Sequence, residues 1–534
     1  MKTMIYFSAV ILSGFALCAC NDDDIVGDPA IDWSASTHLI NPVDEQGFST
    51  YYTPAIGTVG DPMPFFDPTT NSFKILYLQE YSNNDPFCYH PIWGVETKDC
   101  GNYASLGEVL PTGTSSLEQD AALGTGCCVY SEADKCYYIY YTGHNHTLAN
   151  KEVIMRATST DFKTWSKDAG WAIKGADYGY SETDFRDPQI FRDDEGLYHM
   201  VVASCGNLKL ADFTSTNLKD WTHAGLFSNM LWDRVFECPD IFKMGDWWYL
   251  TYFEQNNVGW CRKMKYFKGK TLAELKSAIS SPTWPDRFEG NIEGRGLYAA
   301  KTASDGTNRY CWGWCPTRTG ASFQDKNVNV AEDRESNWSG AMVCHRLIQN
   351  ADGVLTLGPV AGIEAKYNKS VSLSVKQQQG ASGSGSDYQL SGDAYLYFGR
   401  LGYHNHIAMT VKTSNVWDNF GISVARGYED GSFSSKYYTL RINAENEWNR
   451  KINFEEEGSE GRGFIGGIDG GRTFETPADG VYHIDIYTDN SVCVVYINDM
   501  YAYTNRIYGI QQNGWSINNY GGNITVSDLK VTQY

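Results

Sequence analysis

Carboxylates set beside proline recur at three places in this chain, each time in similar surroundings. The segments are Gly60-Asp61-Pro62-Met63-Pro64-Phe65-Phe66, Arg186-Asp187-Pro188-Gln189-Ile190-Phe191 and Glu237-Cys238-Pro239-Asp240-Ile241-Phe242. Each leads into an aromatic-rich run that reads as a buried strand, at residues 73–78, 197–202 and 247–252. Proline fixes φ and removes one backbone donor, which sets the direction in which the neighbouring acid projects. Acids at equivalent points of a repeated unit are read as converging on one pocket. Cleavage of a glycosidic bond needs such a set, with one general acid for the leaving oxygen and a second carboxylate as nucleophile or base. The acid must hold its proton near neutral pH, which a dry setting or neighbouring negative charge achieves.

The elements that must position these acids follow from a repeat. Two further segments share the pattern of entry strand, turn and aromatic strand, beginning at Gly124 and at Gly296-Leu297. With Asp61, Gly124, Asp187, Glu237 and Leu297 as markers, the spacings are 63, 63, 50 and 60 residues. Outer parts echo as well, since Thr158-Ser159-Thr160-Asp161 through Trp165 matches Thr214-Ser215-Thr216-Asn217 through Trp221 at an offset of 56. The Asp or Asn reads as a turn residue and the tryptophan as core. Five units of short strands predict a five-bladed β-propeller over 37–350, with the first strand of each blade lining a central channel. A linker is expected over 351–366. Residues 367–534 alternate as half-buried strands do, for example Val481-Tyr482-His483-Ile484-Asp485-Ile486-Tyr487, and predict a β-sandwich. The fold class expected is therefore all-β.

At 534 residues the chain exceeds a single ordinary core. Its net charge of −21 offers no basic footprint for nucleic acid and disfavours a polyanionic substrate. An aromatic content of 14% suits a neutral polymer bound through ring faces and hydrogen bonds. The cysteines are scattered, and Cys311-Trp312-Gly313-Trp314-Cys315 has no second pair at zinc-site spacing, so neither metal nor cofactor is expected.

The N-terminus, Met1-Lys2-Thr3-Met4, is followed by an apolar stretch over 5–19 that is too brief to span a bilayer. It closes on Leu17-Cys18-Ala19-Cys20, which resembles a bacterial lipobox with Cys20 as the lipidated residue. A signal peptide over 1–19 and an acidic tether over 20–36, including Asn21-Asp22-Asp23-Asp24, are expected. They imply an exported lipoprotein held at the outer membrane by its lipid and exposed at the cell surface.

The order Asp-Pro, Arg-Asp-Pro, Glu-Cys-Pro resembles glycoside hydrolase family 32, the fructan and sucrose hydrolases. Tyr141-Thr142-Gly143-His144, Tyr298-Ala299-Ala300-Lys301-Thr302 and Trp312-Gly313-Trp314 resemble that family too, as do Tyr496-Ile497-Asn498-Asp499 and Thr504-Asn505-Arg506-Ile507-Tyr508 in the expected sandwich. The resemblance implies a propeller followed by a sandwich, and a retaining hydrolase of β-fructofuranosidic linkages with a fructan substrate. It implies Asp61 as nucleophile, Glu237 as general acid/base, and Asp187 as transition-state stabiliser with Arg186 beside it. Gln79, Trp93, Thr125 and Cys238 are the further substrate-binding candidates, and His90, Trp232, Asp120 and Arg295 are weaker ones. The chain departs from the family's Trp-Met-Asn-Asp-Pro-Asn-Gly motif, since Val59-Gly60-Asp61-Pro62-Met63-Pro64 lacks the tryptophan and both asparagines. Thr125 stands in a Leu-Gly-Thr-Gly variant of the family's Phe-Ser-Gly-Ser, and Val494 replaces a glutamate usual in the sandwich. An inverting five-bladed glycosidase acting on arabinan or xylan, and a catalytically inactive surface glycan-binding protein, are the alternatives.

Overall fold

The computed structural model describes residues 50–55, 57–80, 90–230, 235–255, 264–280, 290–293, 296–318, 336–429, 431–433, 437–443, 451–457, 463–464, 472–473, 475–507 and 513–534. Cys20 and the segments read as signal peptide and tether lie outside them, as do Trp232 and Arg295. No helix among the described residues is long and apolar enough to cross a membrane.

The runs of β-branched and aromatic residues form antiparallel strands arranged as five four-stranded units. The innermost strands are Thr58–Asp67, Ala122–Ser131, Phe185–Arg192, Val235–Met244 and Tyr298–Ser304. Each packs against the next and the fifth against the first, which closes the ring of a five-bladed β-propeller. Ser336–Gln349 of the fifth blade also pairs with the inner strand of the first through Val59 and Gly340, joining the two blades in one sheet.

Second strands lie between neighbouring blades, so both their faces are apolar and the polar alternation of a half-exposed strand disappears. Ile75, Leu76 and Tyr77 in the first blade and Ile139, Tyr140 and Tyr141 in the second are all fully buried. The repeated outer segment is a turn in which Asp161 Oδ1 accepts the N–H groups of Lys163 and Thr164, both at 2.8 Å. Asn217 Oδ1 does the same for Lys219 and Asp220 at 2.9 Å. Trp165 and Trp221 are half-buried against the core rather than within it.

Every inner strand carries a β-bulge at the same depth. The ladder breaks between Gly60 and Met63, Gly124 and Gly126, Arg186 and Gln189, Glu237 and Asp240, and Tyr298 and Lys301. A bulge re-aims side chains and is common beside active sites. In four blades the bulged residue has left-handed backbone: Asp61 (φ 36°), Asp187 (59°), Cys238 (51°) and Ala299 (51°).

The segment expected as a linker holds Leu355–Gly358, which pairs with Ser336–Gln349 and extends the fifth blade, and the short helix Ala361–Glu364. Beyond it the strands form a sandwich. Its last strand, Gly514–Gln533, pairs with Phe420–Arg426 along its first half and with His404–Thr413 along its second, so one strand serves both sheets. Buried polar groups fix the sandwich to the propeller. Arg506 donates to the carbonyls of Cys315 (2.8 Å) and Pro316 (3.1 Å), and His345 contacts the Tyr496 hydroxyl at 2.8 Å. Asp489 accepts the backbone N–H groups of Thr50 and Tyr51, both at 2.7 Å. Val494 is fully buried in the apolar core that the two domains share.

Candidate active site

The bulges explain how acids far apart in sequence share one end of the channel. Asp61, Arg186, Asp187, Glu237, Cys238 and Thr125 all line a cavity of about 320 Å³ at the axis. Glu237, however, is not the counterpart of Asp61 and Asp187. The bulged residue of the fourth blade is Cys238, and Glu237 precedes it, as Gly60, Gly124, Arg186 and Tyr298 precede the other bulges. Two rings result: Asp61, Thr125, Asp187, Cys238 and Ala299 in one, and Gly60, Gly124, Arg186, Glu237 and Tyr298 in the other. The marker spacings of the sequence therefore slip by one residue at Glu237 and Gly124, and by two at Leu297.

Within each ring the groups contact one another. Asp61 accepts hydrogen bonds from Thr125 Oγ1 (2.5 Å) and from the buried Trp314 Nε1 (3.0 Å). Burial raises its pKa above the ordinary carboxylate value; the two donors and Lys301 oppose the rise, and Glu237 adds to it. Asp187 accepts the Cys238 N–H at 2.8 Å, and its own N–H donates to Thr142 Oγ1 at 3.1 Å. Burial pushes its pKa up to about 6, against the pull of Arg186 and Lys301. Glu237 accepts from Arg186 Nη2 at 3.0 Å and from the Tyr298 hydroxyl. Both Glu237 donors lie in its own ring, so a one-residue register difference separates the carboxylate held by a guanidinium and a phenol from those held by backbone, hydroxyl and indole.

Gly60 has a steric role. A Cβ there would stand 2.2 Å from the Trp338 ring. Trp338 lines the cavity and stacks on His90 (centroids 4.6 Å apart, 14° between planes), and His90 is paired with Glu80 at 2.6 Å. The space beside Asp61 that a side chain at position 60 would take is thus occupied by an indole from the fifth blade.

Three of the sequence candidates are placed elsewhere. Leu78 lines the cavity, whereas Gln79, next along the strand, turns to the other face and lies over Gly57. Trp93 stands on the third strand of its blade and packs on the core shared with the sandwich. Asp120 is bound to Lys167 and Tyr141 and is not among the cavity's lining residues. The cavity adds Tyr298, Thr142, His144, Glu152 and Trp338, which sequence reasoning did not select as site residues. For Tyr298 a signal existed, since it holds the same place before the bulge as Arg186 and Glu237.

Family models agree with this architecture. The model described as Glycosyl hydrolases family 32 N-terminal domain matches residues 52–359, more than half of the chain. The chain belongs to glycoside hydrolase family 32. A second model of that family, described as GH32, BT1760-like, C-terminal domain, matches residues 353–531. Among curated family 32 relatives, raffinose invertase of Escherichia coli is 24% identical over 337 residues, which is 61% of each chain. Levanase of Bacillus sp. (strain L7) is 36% identical over 126 residues, 21% of this chain and 13% of that one. The match thus spans less than two thirds of either relative. The solved fructan 1-exohydrolase IIa from Cichorium intybus shares the fold, with a TM-score of 0.70 at 15% identity over 91% of this chain and 97% of that one.

Proposed function

We propose that this family 32 protein is a retaining glycoside hydrolase that cleaves β-fructofuranosidic linkages of levan or inulin. The observation that carries the reading is the meeting of Asp61, Asp187 and Glu237, with Arg186, in one axial cavity. In this reading Asp61 attacks the anomeric carbon and Glu237 protonates the leaving oxygen; Glu237 then draws a proton from the water that releases the fructosyl group. Thr125 and Trp314 hold Asp61 by one oxygen each and favour its ionised form, as a nucleophile requires. Asp187, with its second oxygen uncommitted to Cys238, hydrogen-bonds fructosyl hydroxyls. Cys238 acts through its backbone N–H, since burial raises its thiol well above the ordinary value. The levanase relative supports a fructan, and the aromatic Trp338 and His90 on the cavity wall suit a neutral sugar.

Lipidation at Cys20 and display at the outer membrane are proposed as well, on the lipobox-like Leu17-Cys18-Ala19-Cys20. An enzyme anchored outside the cell meets polymer before import, and for that reason endo-action is proposed. Chromatography of products over time from levan, inulin and sucrose tests the whole. Short oligofructosides in the first samples are expected; fructose alone from the outset excludes endo-action, and no release from any of the three excludes the hydrolase.

A further inference from the structure

Glu152 has no part in the reaction as just described, yet it lies against the cavity behind Arg186. It comes from Glu152–Ser159, the third strand of the second blade, and is 8% exposed. Both its carboxylate oxygens accept from Arg186 Nη1, at 3.2 and 3.1 Å. The same nitrogen reaches Asp184 Oδ1 at 3.3 Å, which leaves Nη2 to donate to Glu237 at 3.0 Å. One guanidinium is thus shared by three carboxylates, two behind it and one in front. We propose that Glu152 is a positioning and charge-balancing residue for the proton donor: it occupies Arg186 from behind and balances the arginine's charge, so that Arg186 orients Glu237 without opposing its role as acid.

The proposal rests on the reading of Glu237 as general acid. A cation beside a carboxylate favours the ionised form, which is the wrong form for a group that must donate a proton. Arg186 is nonetheless needed at this place to orient Glu237. Placing a second carboxylate on the far side of the guanidinium reconciles the two demands, because its negative charge offsets part of the arginine's field at Glu237 while the hydrogen bond stays. Other charged and titratable groups among the described residues act on this network, Lys151 on Asp184 and the buried Cys238 thiol beside Glu237 among them. Tyr298 donates to the second oxygen of Glu237, Asp61 and Asp187 add negative charge from the neighbouring ring, and buried Cys205 lies within the field of Arg186 and Glu237. Lys301 acts on Asp61 and Asp187 and donates to the Gly126 carbonyl at 2.9 Å. His144 Nδ1 stands 3.7 Å from Glu152 on the cavity side. An ion pair that only tied the second blade to the third would affect stability and leave proton donation alone.

The test is the pH profile of kcat/KM for fructan hydrolysis by the whole chain. Glu152→Gln keeps a hydrogen-bond acceptor for Arg186 and removes the charge. Its alkaline limb, which reports Glu237 giving up its proton, is expected to fall by about one pH unit, the scale of one unit charge acting across a partly dry site. One unit above the wild-type limb the variant is then about tenfold slower than wild type. The acid limb stays in place, and Glu152→Asp restores the alkaline one. Asp184→Asn, at the rim of the same guanidinium, moves that limb the same way by less and provides the measurement if Glu152→Gln does not fold. An alkaline limb unmoved in every variant that folds overturns the proposal. Glu237→Gln, measured alongside, separates the two levels: if it keeps wild-type activity, the assignment of the proton donor falls; if it is inactive while the limb of the other variants is unmoved, only the role of Glu152 falls.

Discussion

Asp187 places a cost on the fold that its removal should reveal. Its side chain is nearly fully buried and accepts one backbone hydrogen bond, from Cys238, and the pull of Arg186 and Lys301 does not offset its desolvation. The carboxyl therefore titrates at about 6 in the folded protein rather than at the ordinary 3.8. At about 1.36 kcal/mol per unit, that rise corresponds to roughly 3 kcal/mol of lost stability once the group is ionised in both states. The sign follows from linkage. Below pH 3.8 the carboxyl is neutral whether the chain is folded or not, and there is no cost. Between 3.8 and about 6 the unfolded chain gains by ionising first, and the cost grows; above 6 it is complete. Asp187→Asn keeps an acceptor for the Cys238 N–H and never ionises. The variant is expected to melt with wild type at pH 3.5 and above it at pH 7.5, by about 5 °C for a unit the size of the propeller. Calorimetry at the two pH values reads this directly. A difference that is equal at both pH values, or an Asn variant less stable than wild type at pH 7.5, refutes the reasoning.

Gly60→Ala drives a Cβ into the Trp338 ring, so a stability loss of about 1–3 kcal/mol and a higher KM are expected, read by melting and by steady-state kinetics. Arg506→Ala removes the hydrogen bonds to the buried Cys315 and Pro316 carbonyls at the propeller–sandwich junction and should cost about 3 kcal/mol in denaturant titrations. His199 is buried, which lowers its pKa, but Asp212 at 2.9 Å and Asp193 at 3.2 Å outweigh burial and raise it on balance. Its contribution is complete below the ordinary 6.5 and is lost as pH rises through the higher folded value. Stability should accordingly decline above pH 6.5 in wild type and lose that slope in His199→Asn, a window separate from that of Asp187.

The propeller was legible because its second strands lose polar alternation between two apolar neighbours, and because hairpins ahead of them recur with Asn71, Lys135, Gly196, Gly245 and Gly306 at positive φ. The outer turn has a third copy in the first blade, where Asp99 accepts the N–H groups of Gly101 and Asn102, but its Thr97-Lys98-Asp99-Cys100 differs too much from the other two to be found by matching letters. The three acids were legible through their prolines. Their register was not, because the bulge falls on Cys238 in the fourth blade and on the carboxylate itself in the first and third. Gln79 and Trp93 follow the first motif closely in sequence, yet strand alternation turns one away from the cavity and the other packs from its third strand into the core shared with the sandwich. Glu152 and Trp338 reach the site from third strands, and no local pattern marks a side chain whose partner lies in another blade. The linker expectation placed the domain border too early, since Leu355–Gly358 completes a blade.

Fructosyl transfer to methanol tests the central claim, that Asp61 and Glu237 act as nucleophile and proton donor of a retaining fructan hydrolase. An enzyme that forms a fructosyl–Asp61 intermediate passes the sugar to methanol from the face that water would use. With levan or inulin in aqueous methanol, wild type is predicted to yield the methyl β-fructofuranoside beside free products, and folded Asp61→Asn to yield neither. Free products without any β-methyl fructoside from wild type, or undiminished hydrolysis by Asp61→Asn, would contradict the account.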